Sequence, residues 1–251
     1  MNYTVVYSLT TNNRIYIFFL SYIYMILEKL KQLPFFTNKD LKFYYNIKYP
    51  EVYIQRFKNK NKILTIEKGK YTLQDDSLIY STVIIIPSYL SFLSALNFYG
   101  LSTQIPIKHT VAIKHSKKNL KNIKFIRINS KYFFGYLKIK YGDFDLFIAS
   151  KEKLLLDCLL YQNQIQVSDL FNLLKSNLDK KKIVDYLSRI NNVSLIKRVG
   201  YLLELVGIDI YKFFKNKINN NKSYIKLNKN LNKTNKNSVK WKLNINEVID
   251  L

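Results

Sequence analysis

Residues 40–73 read DLKFYYNIKYPEVYIQRFKNKNKILTIEKGKYTL, an order of helix, turn, second helix and basic β-hairpin. Leu41, Tyr44 and Tyr45 recur at helical spacing and are expected to face inward, and Thr37 or Asn38 just upstream can cap that helix with a side-chain oxygen. Asn46, Ile47 and Lys48 form the turn. Pro50 suits the first turn of the next helix, where its missing N–H would have had no helical partner anyway. That helix is expected to bury Val52, Ile54 and Phe57 and to expose Glu51, Gln55, Arg56 and Lys58. Residues 63–66 then pair with residues 70–73 across Glu67, Lys68 and Gly69, where Gly69 supplies a positive φ. Two short helices at a tight turn project the second one, and a cationic hairpin beside it reaches neighbouring phosphates. This is the plan of a winged helix-turn-helix. Upstream, Ile26, Leu27, Leu30 and Leu33 follow helical spacing as far as Pro34, completing three helices and a wing.

Charge is the second signal. The chain of 251 residues has a formal charge of +24, which invites a polyanion. Only five of the 41 basic residues are arginine, and Lys, Asn, Ile, Tyr and Phe are abundant, a skew that AT-rich coding DNA also produces. Position therefore weighs more than total. Residues 48–70 hold seven basic and two acidic side chains, and only this cluster lies on a pattern with a defined docking geometry. Residues 114–124 carry five lysines, and residues 212–240 carry nine, both without an acid.

Several classes of chemistry have no supporting pattern. One cysteine, Cys158, and two histidines, His109 and His115, make neither a disulfide framework nor a zinc set. No Gly-x-Ser-x-Gly elbow surrounds Ser91 or Ser94, and six glycines form no phosphate-cradling loop. Glu152 and Asp157 stand five apart and do not stack as a carboxylate pair on a helix. The reading is of a non-enzyme with no cofactor and no metal. The apolar run at residues 15–27 is 13 residues long, short of the ~20 needed to span a bilayer, so a cytoplasmic protein without a membrane partner is expected. Residues 1–24 read as an N-terminal extension, and a start at Met25 would leave the helical core intact.

Beyond residue 76 the pattern is mixed. Residues 81–86 read as a buried strand and residues 87–97 as a helix with Tyr89, Leu90, Leu93 and Leu96 inward. Strands are expected at residues 110–113, 123–128, 136–141 and 145–148. Helices follow at residues 151–160, 168–178, 179–190 and 193–206, with another near 209–217. Arg198 and Glu204 are candidates for a structural polar contact. Residues 219–237 are rich in Lys and Asn and read as a mobile loop returning a strand that carries Trp241, Leu243 and Ile245.

In this order the motifs resemble the AbiEi family, antitoxins and transcriptional regulators of type IV abortive-infection toxin–antitoxin systems. The resemblance runs from Met25 to the C-terminus. It rests on Pro87-Ser88-Tyr89-Leu90-Ser91-Phe92 with Ser94-Ala95-Leu96 and Tyr99-Gly100-Leu101, on Ala149 with Glu152, Lys153 and Leu154 to Asp157, and on Arg198 with Gly200 to Glu204. It implies an α+β chain: a winged helix-turn-helix at 25–76, then a larger α+β antitoxin domain at 77–251 with a helical C-terminal part. It implies repression of the chain's own operon through double-stranded operator DNA. It also implies a nucleotidyltransferase toxin as functional partner, opposed without a stable complex. A stand-alone winged-helix regulator or interaction protein without a toxin is the alternative. On the DNA side, Gln55 and Arg56 are the candidate base readers, and Lys48, Lys58, Lys60, Lys68 and Lys70 the candidate phosphate contacts.

Overall fold

The computed structural model describes residues 11–60 and 62–247, the side chains of residues 11–20 excepted. The chain is a mixed α+β fold and divides into two compact units between Asp76 and Ser77.

The first unit runs α1 (Thr11–Lys31), β1 (Phe36–Thr37), α2 (Asn38–Tyr44), α3 (Pro50–Asn59), β2 (Leu64–Glu67) and β3 (Lys70–Thr72). The strands form an antiparallel sheet in the order β1-β3-β2. β1 is two residues long, too short to leave a period-two signature in the sequence. Thr37 closes α2 with a capping box: its side chain accepts from the Asp40 amide, and its own amide donates to Asp40 Oδ2 at 2.7 Å. Gly69 turns the hairpin at φ +82°. The core joins Ile26 and Leu30 of α1 to Phe36, Leu41, Ile47, Ile54, Phe57 and Ile63.

Three expectations for this unit change. Tyr44 is exposed, because Tyr45 and Ile47 fill the space under α2 instead. Val52 is exposed as well; at 100° per residue it lies about 160° around α3 from Ile54, so one stripe cannot bury both. Helix α1 begins well before Met25: Ile23 packs on the core and the Tyr22 hydroxyl donates to the Tyr45 carbonyl at 2.9 Å. A chain starting at Met25 would forfeit both contacts. The side chains of residues 15–20, part of the apolar run, lie outside the described residues.

The second unit is built on a five-stranded mixed sheet. Its elements are α4 (Leu78–Ser81), β4 (Ser88–Leu90), α5 (Phe92–Phe98), β5 (His109–Ile113), β6 (Ile123–Arg127), β7 (Tyr136–Tyr141) and β8 (Phe144–Ala149). The helices α6 (Lys151–Leu160), α7 (Phe171–Lys175), α8 (Lys180–Ile190), α9 (Val193–Leu205) and α10 (Tyr211–Asn220) follow. The sheet order is β6-β5-β4-β8-β7, with β4 parallel to β8 and β5 parallel to β6. Of residues 81–86, Ser81 ends α4 and the rest make turns and bends rather than a strand, and residues 88–90 are the central strand rather than a helix. Leu90 is paired with both Val111 and Ile148, which only an extended backbone permits. The helix starts at Phe92, whose φ of 55° turns the chain out of the sheet. Helix α6 carries an uninterrupted buried run from Glu152 to Leu159, which marks it as the centre of the unit.

The C-terminal segment forms a small sheet of β9 (Ile225–Lys226), β10 (Asn237–Ser238) and β11 (Leu243–Asn244), with β9 parallel to β11. The expected mobile loop at residues 219–237 is instead threaded by side-chain amides. Asn246 Nδ2 donates to the carbonyls of Asn228, Leu231 and Asn232, and Asn244 Nδ2 to those of Thr234 and Lys236. Asparagine can satisfy backbone groups that a polar composition alone would assign to water.

Trp241 is buried against α9, where Gly200 sits. A Cβ at position 200 would stand 2.1 Å from two ring atoms of Trp241, so this helix needs its glycine despite the propensity cost. Gly200→Ala is expected to destabilise the unit by about 1–3 kcal/mol through overpacking. Thermal denaturation should show a lower midpoint and native tryptophan emission should move to the red. Unchanged emission and midpoint would contradict the packing.

Candidate nucleic-acid interface

Helix α3 is two-faced. Pro50, Ile54 and Phe57 are buried and Tyr53 is half-buried, while Val52, Gln55, Arg56 and Asn59 are exposed. The spacing of the exposed four, i, i+3, i+4 and i+7, places them on one stripe about 10 Å long. Gln55 Nε2 donates to Asn59 Oδ1 at 3.1 Å, and the Arg56 guanidinium stands 6.0 Å from the Tyr53 ring centroid. Such a stripe offers amide, guanidinium and methyl groups, the chemistry that reads adenine, guanine and thymine edges in a major groove. Val52 and Asn59 were missed as members of this stripe. The signal was available, since a helical wheel centred on Ile54 and Phe57 puts both on the far side.

The lysines divide by availability. Lys48, at the turn before α3, is exposed with its ammonium 5.5 Å from the Tyr49 ring centroid. Lys60 caps the C-terminal end of α3 and is exposed. Lys68 is exposed at the tip of the β2–β3 turn. Lys58 is half-buried and lies 4.9 Å from the centroid of Tyr71, a stacking role that ties α3 to β3. Lys70 is ion-paired with Glu67 at 3.0 Å and lies 5.5 Å from the Phe35 centroid, so its charge is already compensated. The hairpin thus presents Lys68 at its tip and uses Lys70, paired with Glu67 across the turn, to close that turn.

A different constellation occupies the second unit. Lys153 and Asp157, one turn apart on α6, form an ion pair with both side chains fully buried. Asp157 Oδ2 also accepts from the Tyr89 hydroxyl and from Ser91 Oγ, each at 3.0 Å. Burial first, and then the Asp157 charge, push the Tyr89 phenol well above its ordinary pKa, so it stays a donor. Glu152 Oε1 accepts the Asp179 amide at 3.1 Å, and Ser150 Oγ accepts the Lys153 amide at 3.2 Å. Ser94 Oγ accepts the Thr110 amide at 2.8 Å. Burial raises the Cys158 thiol well above its usual range and keeps it protonated. These groups face one another rather than a cavity. Among the described residues no cluster of His, Cys, Asp and Glu could hold a metal ion, and no helix is long and apolar enough to cross a membrane.

Arg198 and Glu204 do not meet; each grips the returning C-terminal segment. Arg198 Nε donates to the carbonyls of Lys226 and Leu227 at 2.9 and 3.1 Å. Glu204 accepts from the Trp241 indole and from Lys240. Beside Arg198, Lys197 Nζ donates to the Asn221 and Ser223 carbonyls at 3.0 and 2.7 Å.

No protein-family model matches the chain, and no curated protein is significantly similar in sequence. Among solved structures it is similar to the crystal structure of the RV2827C protein from Mycobacterium tuberculosis, with a TM-score of 0.68 at 13% identity, covering 89% of this chain and 90% of that one. At that identity the likeness is one of fold alone.

Removing one member of a buried ion pair strands the other. Asp157→Ala is expected to destabilise the second unit by about 3–5 kcal/mol, because Lys153, Tyr89 and Ser91 lose their common acceptor. The double change Lys153→Met, Asp157→Leu should recover much of that loss in urea denaturation. A single variant as stable as the parent would show that the pair is not the buried anchor described.

Proposed function

We propose that the first unit is a winged helix-turn-helix and that the chain is a DNA-binding antitoxin, cytoplasmic, that represses its own operon and counteracts a nucleotidyltransferase toxin. The observation that carries the DNA-binding part is the exposed stripe of α3. A helix whose outward face is Val52, Gln55, Arg56 and Asn59 has little use for that face in packing, and it suits a base-pair edge. The element order α1-β1-α2-α3-β2-β3, with the hairpin closed onto β1, is the usual support for a recognition helix. Lys48 before the helix and Lys68 at the hairpin tip are positioned along the chain to hold phosphates on either side of the groove.

The antitoxin part rests on the AbiEi resemblance. Its phrases are not scattered: Tyr89 and Ser91 of the first meet Lys153 and Asp157 of the second, and Arg198, Gly200 and Glu204 of the third hold the C-terminal segment. A nucleotidyltransferase reading frame beside this gene, whose product arrests growth unless this chain is co-expressed, is the expected genetic outcome. Growth arrest that co-expression leaves untouched would remove the antitoxin role and leave a stand-alone regulator.

For the DNA-binding role, Arg56→Ala should cost about 1–3 kcal/mol on DNA from upstream of the gene and relax specificity at one position. Val52→Ala should reduce preference for thymine at a neighbouring position. Lys68→Ala should weaken binding on all sequences and flatten the log–log salt dependence by about one unit. Arg56 and Lys68 variants that bind every DNA as the parent does would refute the interface.

A further inference from the structure

An open cavity of about 440 Å³ lies in the second unit, where the turn after α6 meets α5 and the C-terminal segment. Its volume is within the range of small-molecule sites, roughly 300–1,000 Å³. Six carboxamide side chains, two aliphatic ones and a single carboxylate, Asp169, line it, and no lysine or arginine does. In a chain with a formal charge of +24 such a lining is distinctive. It offers nothing to a phosphate and suits a neutral group with its own hydrogen-bonding edge.

The carboxamides fall into two sets. Gln162 holds the wall: its Nε2 donates to the Leu227 carbonyl at 2.8 Å and its Oε1 accepts the Lys229 amide at 2.7 Å. Its backbone carbonyl also accepts from Asn230 Nδ2 at 3.3 Å. These bonds fix the turn to the C-terminal segment before any ligand arrives. The side chains of Asn163, Gln164 and Gln166, by contrast, make no hydrogen bond among the described residues. Gln164 is the sharpest case, because its Oε1 is buried and accepts from no donor. A buried acceptor left alone costs free energy, which a ligand N–H would recover. Asp169 accepts from Gln104 Nε2 at 3.2 Å and from the Gln166 amide at 3.3 Å, and no cation pairs with it among the described residues. A carboxylate has about four acceptor positions, so both oxygens keep capacity for a ligand.

We propose that this cavity binds a nucleobase, guanine above the others, carried on a free nucleoside or nucleotide. The site is independent of α3 and of DNA binding. Guanine presents N1–H and N2–H2 side by side, two donors for the Asp169 carboxylate, while its O6 and N7 accept from carboxamide N–H groups. Leu93 and Ile165 supply apolar surface for the ring. Adenine would turn the lone pair of its N1 toward the carboxylate. An ammonium or guanidinium ligand would satisfy Asp169 and Gln164 but leave the carboxamide N–H groups unmatched. The field of a strongly basic chain also opposes such a cation and favours a ligand with a phosphate tail.

The test titrates the full chain with guanosine, GMP, adenosine, xanthosine and agmatine by isothermal calorimetry. The unaltered chain should bind guanosine and GMP, with adenosine at least ~tenfold weaker because its edge leaves the acceptors unpaired. Asp169→Asn should lose guanosine to a similar extent and gain xanthosine, whose C2 carbonyl replaces the N2 amino group and accepts from the introduced carboxamide. That exchange of preference is a readout that mere loosening of the turn would not produce. Gln164→Leu, which removes no side-chain hydrogen bond of the fold, should weaken guanosine roughly tenfold with an unchanged melting midpoint. Absence of guanosine and GMP binding, equal binding of adenosine, agmatine as the sole ligand, or an Asp169→Asn variant that keeps guanosine would overturn the proposal. A guanine-bearing single-stranded RNA that binds where the nucleoside does not would overturn it too, since the base would then arrive in a strand.

Discussion

The second unit is organised by a single buried carboxylate. Asp157, on the central helix α6, is ion-paired with Lys153 and accepts hydroxyl hydrogen bonds from Tyr89, within the central strand β4, and from Ser91, just after it. An ionised group out of water is tolerable only when fully partnered, so these residues specify one another. The consequence is geometric. β4 cannot slide against α6 without unpairing Asp157, and β4 sets the register of β5 on one side and meets β8 on the other. Gly135 marks the tightness of this region: a Cβ there would come within 3.1 Å of the Lys153 Cβ and 2.9 Å of the Tyr186 ring.

This explains which parts were legible in the sequence. Elements stabilised by local signals were readable: the strand at Tyr136–Tyr141, the helix capped by Ser150, and the helix opened by Asp179, whose Oδ1 accepts the Lys181 and Lys182 amides. Elements decided by distant partners were not. Residues 88–90 carry Tyr and Leu at spacings that suit a helix, yet pairing with residues 111–113 and 148 holds them extended. The C-terminal segment misled for a related reason. Its polarity suggests a mobile loop, but Asn228, Asn244 and Asn246 bond the backbone that polarity would leave to water; the expected docking of Trp241 holds, against the one helical position without a Cβ. In the first unit Val52 was misplaced although periodicity alone locates it, and Lys70 was overvalued because its pairing with Glu67 needs coordinates to see.

Charge followed the same rule. Counting lysines ranks the C-terminal stretch beside the others, while the structure separates ammonium groups that cap carbonyls from those that face solvent. What distinguishes α3 is not its charge density but the mixture on its outer stripe, where one arginine stands among an amide pair and a methyl-bearing residue. Affinity from phosphates and specificity from base edges are different physical terms. In the proposed interface they fall on different groups, Lys48 and Lys68 for the first and the α3 stripe for the second.

The central claim, that α3 reads DNA, is tested most directly by hydrogen–deuterium exchange of the full chain with and without a duplex spanning the region upstream of its gene. The account predicts slowed exchange at residues 46–60 and at the hairpin tip around Lys68, reversed by salt. Unchanged exchange over residues 46–70 under conditions where the duplex is bound would contradict it.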